Sequence, residues 1–231
     1  MMEFRVPMMS IRIRLGSVSL GLVEADDVHV QPAPPGLRDE LAGVAGKLAR
    51  QLTVEALAQD PTARAVRAMF RDWGLDPSKY RPSSEALLRR VAQGKGISFV
   101  SNVVDIVNLG SIETGWPYGC YDRDHVSPPV EFRLGVAGET YHGIGRRVWH
   151  LAGRPVLADA EGPFGSPISD STRTMVTGET HAAAIVIFAP APASPTQIEH
   201  ALDSVAERLA LWAAAGGVHQ EILRGEKGEV A

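Results

Sequence analysis

The spacing of apolar residues switches between the period of two of a strand and the period of 3.6 of a helix along this chain. That switching restricts the fold more than any single motif. Ile11, Ile13 and Leu15 alternate with Arg12 and Arg14, the pattern of a half-buried strand. Val18 to Glu24 and Val28 to Val30 predict further short strands, and Gln31-Pro32-Ala33-Pro34-Pro35-Gly36 is a stiff break. Leu37, Leu41, Val44, Leu48 and Leu52 then recur at three- and four-residue steps, which predicts a helix. Asp60 caps a second helix with Pro61 at its first position and Val66, Met69, Phe70 and Trp73 on one face; Gly74 ends it. A third starts at Ser83 or Ser84, carries Ala86, Leu87, Leu88 and Val91, and closes at Gly94 and Gly96. A fourth apolar segment, Val103 to Leu109, includes Asp105 and Asn108. Val130 to Val136 alternates as a strand; Val156 to Ala158 and Ala182 to Phe188 read as buried strands. Ser194-Pro195 opens a last helix, which Gly216-Gly217 stops.

Strands, helices, strands and a helix in that order define an α+β fold, a mixed β-sheet core flanked by helices, and not an alternating βαβ array. At roughly 150 residues per domain the 231 residues predict one or two domains. No long linker divides them, so a single domain over 1–231 is expected, with N-terminal strands in 1–35, the core in 36–217 and a frayed charged tail in 218–231. The single cysteine, Cys120, excludes an internal disulfide and a cysteine-based zinc cluster. No apolar run approaches a membrane span, and arginines interrupt the first 22 residues. A cytoplasmic protein is expected; Met1, Met2, Met8 and Met9 leave its start open. The net charge of -4, from 23 Lys and Arg against 27 Asp and Glu, argues against a large nucleic-acid footprint. It is compatible with holding one RNA end weakly.

Three segments carry more polar residues than periodicity explains. Lys79-Tyr80-Arg81-Pro82-Ser83-Ser84-Glu85 is either a capped helix start or a helix N-terminus whose flanking cations suit a phosphate or carboxylate. Ser101 to Asp124 holds Asn102, Asp105, Asn108, Ser111, Glu113 and Thr114, then Gly119-Cys120-Tyr121-Asp122. Asp105 and Asn108 share a helical face, and a carboxamide on an apolar helix must bond either the protein or a ligand. Asp122 and Asp124 suit either a capped turn or a metal, and Cys120 alone is a small apolar residue before it is a nucleophile. Gly162 to Thr174 combines glycines with Ser166, Ser169, Asp170, Ser171, Thr172, Arg173 and Thr174, either a loop bonded to itself or the wall of a polar pocket. The seven histidines show no ligand spacing, Gly143 to Arg147 meets no phosphate-loop spacing and its Arg146 and Arg147 read as a solvated charge pair, and Arg64, Arg67 and Arg71 lie along one helix face that either touches RNA or is simply solvated. No metal or cofactor is expected.

Taken together, Tyr80-Arg81-Pro82-Ser83-Ser84-Glu85-Ala86-Leu87, Asn102 to Asn108, Gly119-Cys120-Tyr121-Asp122, Phe164-Gly165-Ser166-Pro167 and Ser169-Asp170-Ser171-Thr172-Arg173-Thr174 resemble the free-standing B3/B4 domain family over roughly residues 50 to 215. The editing module of the phenylalanyl-tRNA synthetase β subunit is more distantly similar; its Asp-Val-Thr-Asn pattern matches at Asp105 and Asn108. The resemblance implies an α+β domain that takes the aminoacylated 3′ end of tRNA, with no membrane or DNA partner. In the synthetase the module hydrolyses wrongly attached tyrosine. Here Gly119 stands where that pocket has a histidine, and a late glutamate falls in the apolar run around Val186, so tyrosine sensing does not carry over.

An aminoacyl ester is already activated, so a site must mainly orient water, polarise the carbonyl and exclude competitors. The expected catalytic set is Asn108, Ser166, Asp170 and Ser171, with Arg81, Ser83, Asp122, Arg173 and Thr174 binding substrate. Two functions fit: a trans-editing aminoacyl-tRNA deacylase, or a non-catalytic module that binds tRNA, a free amino acid or a small metabolite.

Overall fold

Val18–Asp26 (β2) is nine residues long and buried on both faces, and the rest of the chain is arranged about it. The computed structural model describes residues 9–145 and 147–225. β2 pairs antiparallel with Ala183–Pro190 (β9), the continuous apolar run of the sequence, whose eight residues are all buried. Tyr118–Asp122 (β3) flanks β9, and Gly216–Arg224 (β10) flanks β2 on the other side. A second four-stranded sheet is ordered β1-β4-β7-β8, from Ile11–Ile13, Val130–Leu134, Pro155–Asp159 and Gly162–Gly165. Thr140–His142 (β5) and Val148–His150 (β6) form a separate hairpin. Only the β1–β4 pair is parallel, so the β1-β4-β7-β8 sheet is mixed, the β10-β2-β9-β3 sheet is wholly antiparallel, and the α+β class holds.

Alternation assigns the faces of the first sheet. A Cβ on Gly21 would stand 3.1 Å from Leu202 and 3.4 Å from Ile198, so that face of β2 lies against the helix Pro195–Trp212 (α6). The opposite face meets the second sheet. There Phe188, opposite Leu20 in register, contacts Phe132 at 5.3 Å between ring centroids, and Trp73 closes on Phe132 at 5.6 Å. Trp73 follows the helix Pro61–Asp72 (α3), whose cap is the expected one: Asp60 accepts from the Ala63 amide. Pro35–Gln51 (α1), Val54–Gln59 (α2), Ser83–Ala92 (α4) and Asn102–Thr114 (α5) complete the helices.

Several expectations are corrected. Val28 to Val30 is not a strand; its polar groups reach other segments, Val28 N to the His181 carbonyl and His29 N to the Ala213 carbonyl. Neither Ser83 nor Ser84 caps α4: the cap position is Pro82 and no side chain bonds there. Gly216-Gly217 does not end α6, which stops at Trp212, but forms the bulge that opens β10. The tail read as frayed is strand up to Arg224, because its backbone completes the edge of β2; residues 226–231 lie outside the described residues.

The segment before α1 is tied down by one side chain. Asn102, at the first turn of α5 and fully buried, donates to the carbonyls of His29 (2.8 Å) and Trp212 (2.9 Å) and accepts from the Gln31 amide (3.0 Å). Its own backbone amide donates back to the Gln31 carbonyl at 2.8 Å. The clasp fixes the N-terminal segment, the start of α5 and the end of α6 together. Asn102→Ala leaves three partly buried backbone groups without this partner, and at about 1 kcal/mol for each such loss, toward the low end for a buried group, we expect about 3 kcal/mol of destabilisation at most. Urea unfolding measures it; a loss under ~1 kcal/mol would mean that water replaces the clasp.

Candidate functional site

The face of α4 that presents Ser83, Ala86, Leu87 and Arg90 lies opposite the face of α5 that presents Val104, Val107, Asn108 and Ser111. Both sets follow the three- and four-residue steps of one helical face. Between them is a cavity of about 380 Å³, floored by Tyr118 and Cys120 of β3 and closed by Ile144, Ile168, Asp170, Met175 and Val176. That volume falls near the lower end of ligand pockets, roughly 300–1,000 Å³. The wall is mostly apolar with a few convergent polar groups, the usual make-up of a small-molecule site. Two loops form its mouth, where Val100 is 66% and Ile144 48% exposed.

The polar groups differ in how far they are already used. Asn108 is partly exposed to the cavity, and its carboxamide has no hydrogen-bond partner among the described residues. The Ser111 hydroxyl is spent on the Trp116 carbonyl at 2.8 Å. Ser83 lines the wall, its amide donates to the Pro167 carbonyl, and its hydroxyl is buried with no partner among the described residues. Arg90 stands exposed at the rim, with Ser98 Oγ 3.5 Å from its guanidinium.

Asp170 reaches the same cavity from the loop after β8. The Tyr121 hydroxyl donates to its Oδ1 at 2.8 Å and the Ser166 amide at 3.3 Å, and the Cys120 amide also faces the carboxylate, whose roughly four lone-pair sites still leave room for an occupant. Burial pushes its carboxyl up to about 7, against the Tyr121 hydroxyl and the Ser166 and Cys120 amides, which favour the charged form. Burial and the neighbouring Asp170 and Asp122 charges likewise push the Cys120 thiol well up, which keeps it neutral and a poor nucleophile.

Tyr121 is held by two glycines. A Cβ on Gly119 would stand 2.0 Å from its hydroxyl oxygen and one on Gly165 2.3 Å from it. The ring therefore lies where any larger residue at either position would collide, and Phe164 meets it edge-on at 5.0 Å between centroids.

The remaining residues expected in the site lie outside the cavity wall, and most are used by the fold. Ser166 Oγ accepts from the Ser169 and Ile168 amides and donates to the Ser169 carbonyl at 2.7 Å. Ser171 Oγ accepts from the Arg173 amide at 3.1 Å. Arg173 forks onto the buried carboxylate of Asp159 at 2.8 and 3.1 Å. Asp122 accepts from the Thr180 hydroxyl at 2.7 Å and from the Asp124 amide. The Thr174 carbonyl accepts from the Asp122 amide, and its hydroxyl is buried. Arg81 is exposed, 3.8 Å from Glu85. Asn108, Asp170 and Ser83 are thus brought together, whereas Ser166, Ser171, Asp122, Arg173, Thr174 and Arg81 are not. Arg90, Tyr118, Met175 and Val176 were missed; the step from Ser83 to Ala86, Leu87 and Arg90 was the available signal for the first. Among the described residues no three His, Cys, Asp or Glu side chains gather as a metal site, and no helix is long and apolar enough to cross a membrane.

The chain belongs to the B3/4 domain family, which it matches over residues 65–210. Among solved structures it is similar to an N-terminal fragment of the phenylalanyl-tRNA synthetase β subunit from Pyrococcus horikoshii, at 13% identity and a TM-score of 0.43. The alignment covers 93% of this chain and 54% of that one, so the chain spans about half the length of the fragment. A comparison with curated proteins finds no match.

Because Asp170 holds its proton more tightly folded than unfolded, it stabilises the fold fully below about pH 4, and that contribution is lost as pH rises to about 7. Asp170→Asn keeps an acceptor for Tyr121 and removes the titration. We expect its melting temperature, followed from pH 4 to pH 8, to fall less with rising pH than that of the parent chain. Parallel curves would show that Asp170 titrates as an ordinary carboxylate.

Proposed function

We propose that this chain is a trans-editing aminoacyl-tRNA deacylase whose reaction takes place in the cavity between α4, α5 and β3. The observation that carries the proposal is that Asn108 and Asp170, from separate segments, line one largely apolar cavity, with the Asn108 carboxamide unpartnered among the described residues. In this reading water adds to the ester carbonyl carbon, the bond from that carbon to the terminal ribose oxygen breaks, and that oxygen takes the proton. The products are the free amino acid and uncharged tRNA. Asp170 Oδ2 receives the α-ammonium, Asn108 positions the water or the ribose, and the apolar wall of Leu87, Val104, Val107 and Val176 takes the amino-acid side chain. Arg90 at the rim is placed for a phosphate.

No strong base is required, because the ester is activated and a ribose hydroxyl of the substrate can assist. Cys120 is assigned no covalent role, since its thiol stays protonated. An ammonium arriving beside Asp170 draws its carboxyl toward the charged form, so binding and ionisation are coupled.

A panel of mischarged tRNAs tests the reading. We expect at least one to lose its amino acid faster than the buffer control, with kcat/KM rising through about pH 7 as Asp170 ionises. Asp170→Ala should abolish that excess, and Asn108→Ala should lower kcat/KM by roughly 10- to 100-fold, the scale of about 1–3 kcal/mol for one lost hydrogen bond. If no aminoacyl-tRNA is hydrolysed, and free amino acids raise the melting temperature while tRNA does not, the cavity belongs to a binding module and the editing reading falls.

A further inference from the structure

Beside the cavity mouth, cations and aromatic rings alternate in one contiguous row. Lys79 Nζ lies 5.4 Å from the Tyr80 ring centroid, and the Arg154 guanidinium lies 4.4 Å from the same ring. Arg154 is also 5.6 Å from the Trp149 ring, over which the Arg147 guanidinium stands at 4.9 Å. The row thus reads Lys79, Tyr80, Arg154, Trp149, Arg147, drawn from three separate stretches of chain. Both ends lead into the cavity wall: Tyr80 stands three residues before Ser83, and Arg147 three residues after Ile144. The backbone ties them further, since the Ile144 amide donates to the Asp170 carbonyl and the Gly143 amide to the Arg147 carbonyl.

What holds these cations matters as much as where they are. Among the described residues, no carboxylate is within ion-pair range of Lys79, Arg147 or Arg154. The acids near them in sequence are taken: Glu85 by Arg67, Glu139 by Arg133 and the Val136 amide, and Asp76 by Ser78. Ring faces, not opposite charges, fix the two guanidiniums, and Tyr80 Oη adds a hydrogen bond from Arg154 at 3.3 Å. A guanidinium braced by a ring keeps its full charge for an anion and offers a flat surface on which a base can stack. Lys79 and Arg147 are exposed, and Arg154 is half-buried. This is a preformed positive strip on a chain whose net charge is -4.

We propose that the strip from Lys79 to Arg147 is the docking surface for the single-stranded 3′ end of an RNA, binding its phosphates and stacking its bases so that the terminal residue reaches the cavity. Interleaved cations and flat side chains along a groove are the general means of holding a single strand without reading its sequence. The identity of the RNA as a tRNA rests on the reading given above; the docking role rests on the strip.

Uncharged tRNA and the full-length chain provide a test that requires no chemistry. Fluorescence anisotropy at several salt concentrations yields Kd and the slope of log K against log salt. For the triple variant Lys79→Gln, Arg147→Gln, Arg154→Gln we expect binding weaker by about tenfold or more, and a slope flatter by about 2, from three single-strand phosphates at ~0.7 each. The double variant Arg64→Gln, Arg71→Gln, on the exposed face of α3, should bind as the parent does. A triple variant with unchanged Kd and slope would overturn the proposal. So would equal losses in both variants, equal competition by polyglutamate, or a parent chain that binds no RNA. None of these results depends on turnover, so a chain that binds through the strip yet hydrolyses nothing would separate this inference from the editing reading.

Discussion

The free edge of β3 is the constraint from which the site follows. β3 pairs with β9 on one side only, and an open strand edge in the middle of a protein must be covered. The loop after β8 covers it: the Thr174 carbonyl accepts from the Asp122 amide, and the Asp170 carboxylate faces the Cys120 amide while accepting from the Tyr121 hydroxyl. A carboxylate therefore stands where a neighbouring strand would have offered a carbonyl. It is buried by that position, which pushes its pKa up, and it lines the cavity. Gly119 and Gly165 belong to the same arrangement, because Tyr121 reaches Asp170 only across the space that their missing side chains leave.

Most of the fold was legible because its elements bury one face each and so keep a clear period. The caps at Asp60 and Ser194 were equally readable, since each uses a local side-chain bond. What was not legible depends on partners remote in sequence. Val28 to Val30 has strand-like residues, but Asn102, His181 and Ala213 take its polar groups before any strand can. The charged tail looks unable to pay for order by burial, yet β10 needs no apolar face when β2 offers it a complete row of backbone partners. Short side chains misled in the opposite sense. Ser166 and Ser171 looked available for a ligand, whereas hydroxyls that close to a turn find backbone amides first.

The site itself was half-readable for the same reason. Asn108 stood out because a carboxamide on an apolar helix has no local partner, and it has none among the described residues of the fold. Arg90 and the rest of the α4 wall obey a helical step that could have been followed from Ser83. The loop segment could not be sorted by composition: Asp170 and Arg173 are three residues apart, but one lines the cavity and the other is locked onto Asp159. Only the path of the loop around the β3 edge separates them.

In the proposed reading an acidic chain has to hold an anionic partner, and the way its cations are paired makes that possible. Overall charge governs long-range attraction, whereas short-range binding depends on cations that are not already neutralised. Arg14, Arg67, Arg133, Arg173 and Arg208 each pair with a carboxylate and so contribute little to any external anion. Arg147 and Arg154 are held by rings instead. A weak overall field with a small concentrated strip suits, in the proposed reading, a brief interaction, because a deacylase that samples many RNA ends has to release each one. In the proposed reading the affinity is therefore placed where the chain end enters and kept away from the rest of the surface, and discrimination is left to the apolar wall of α4 and α5.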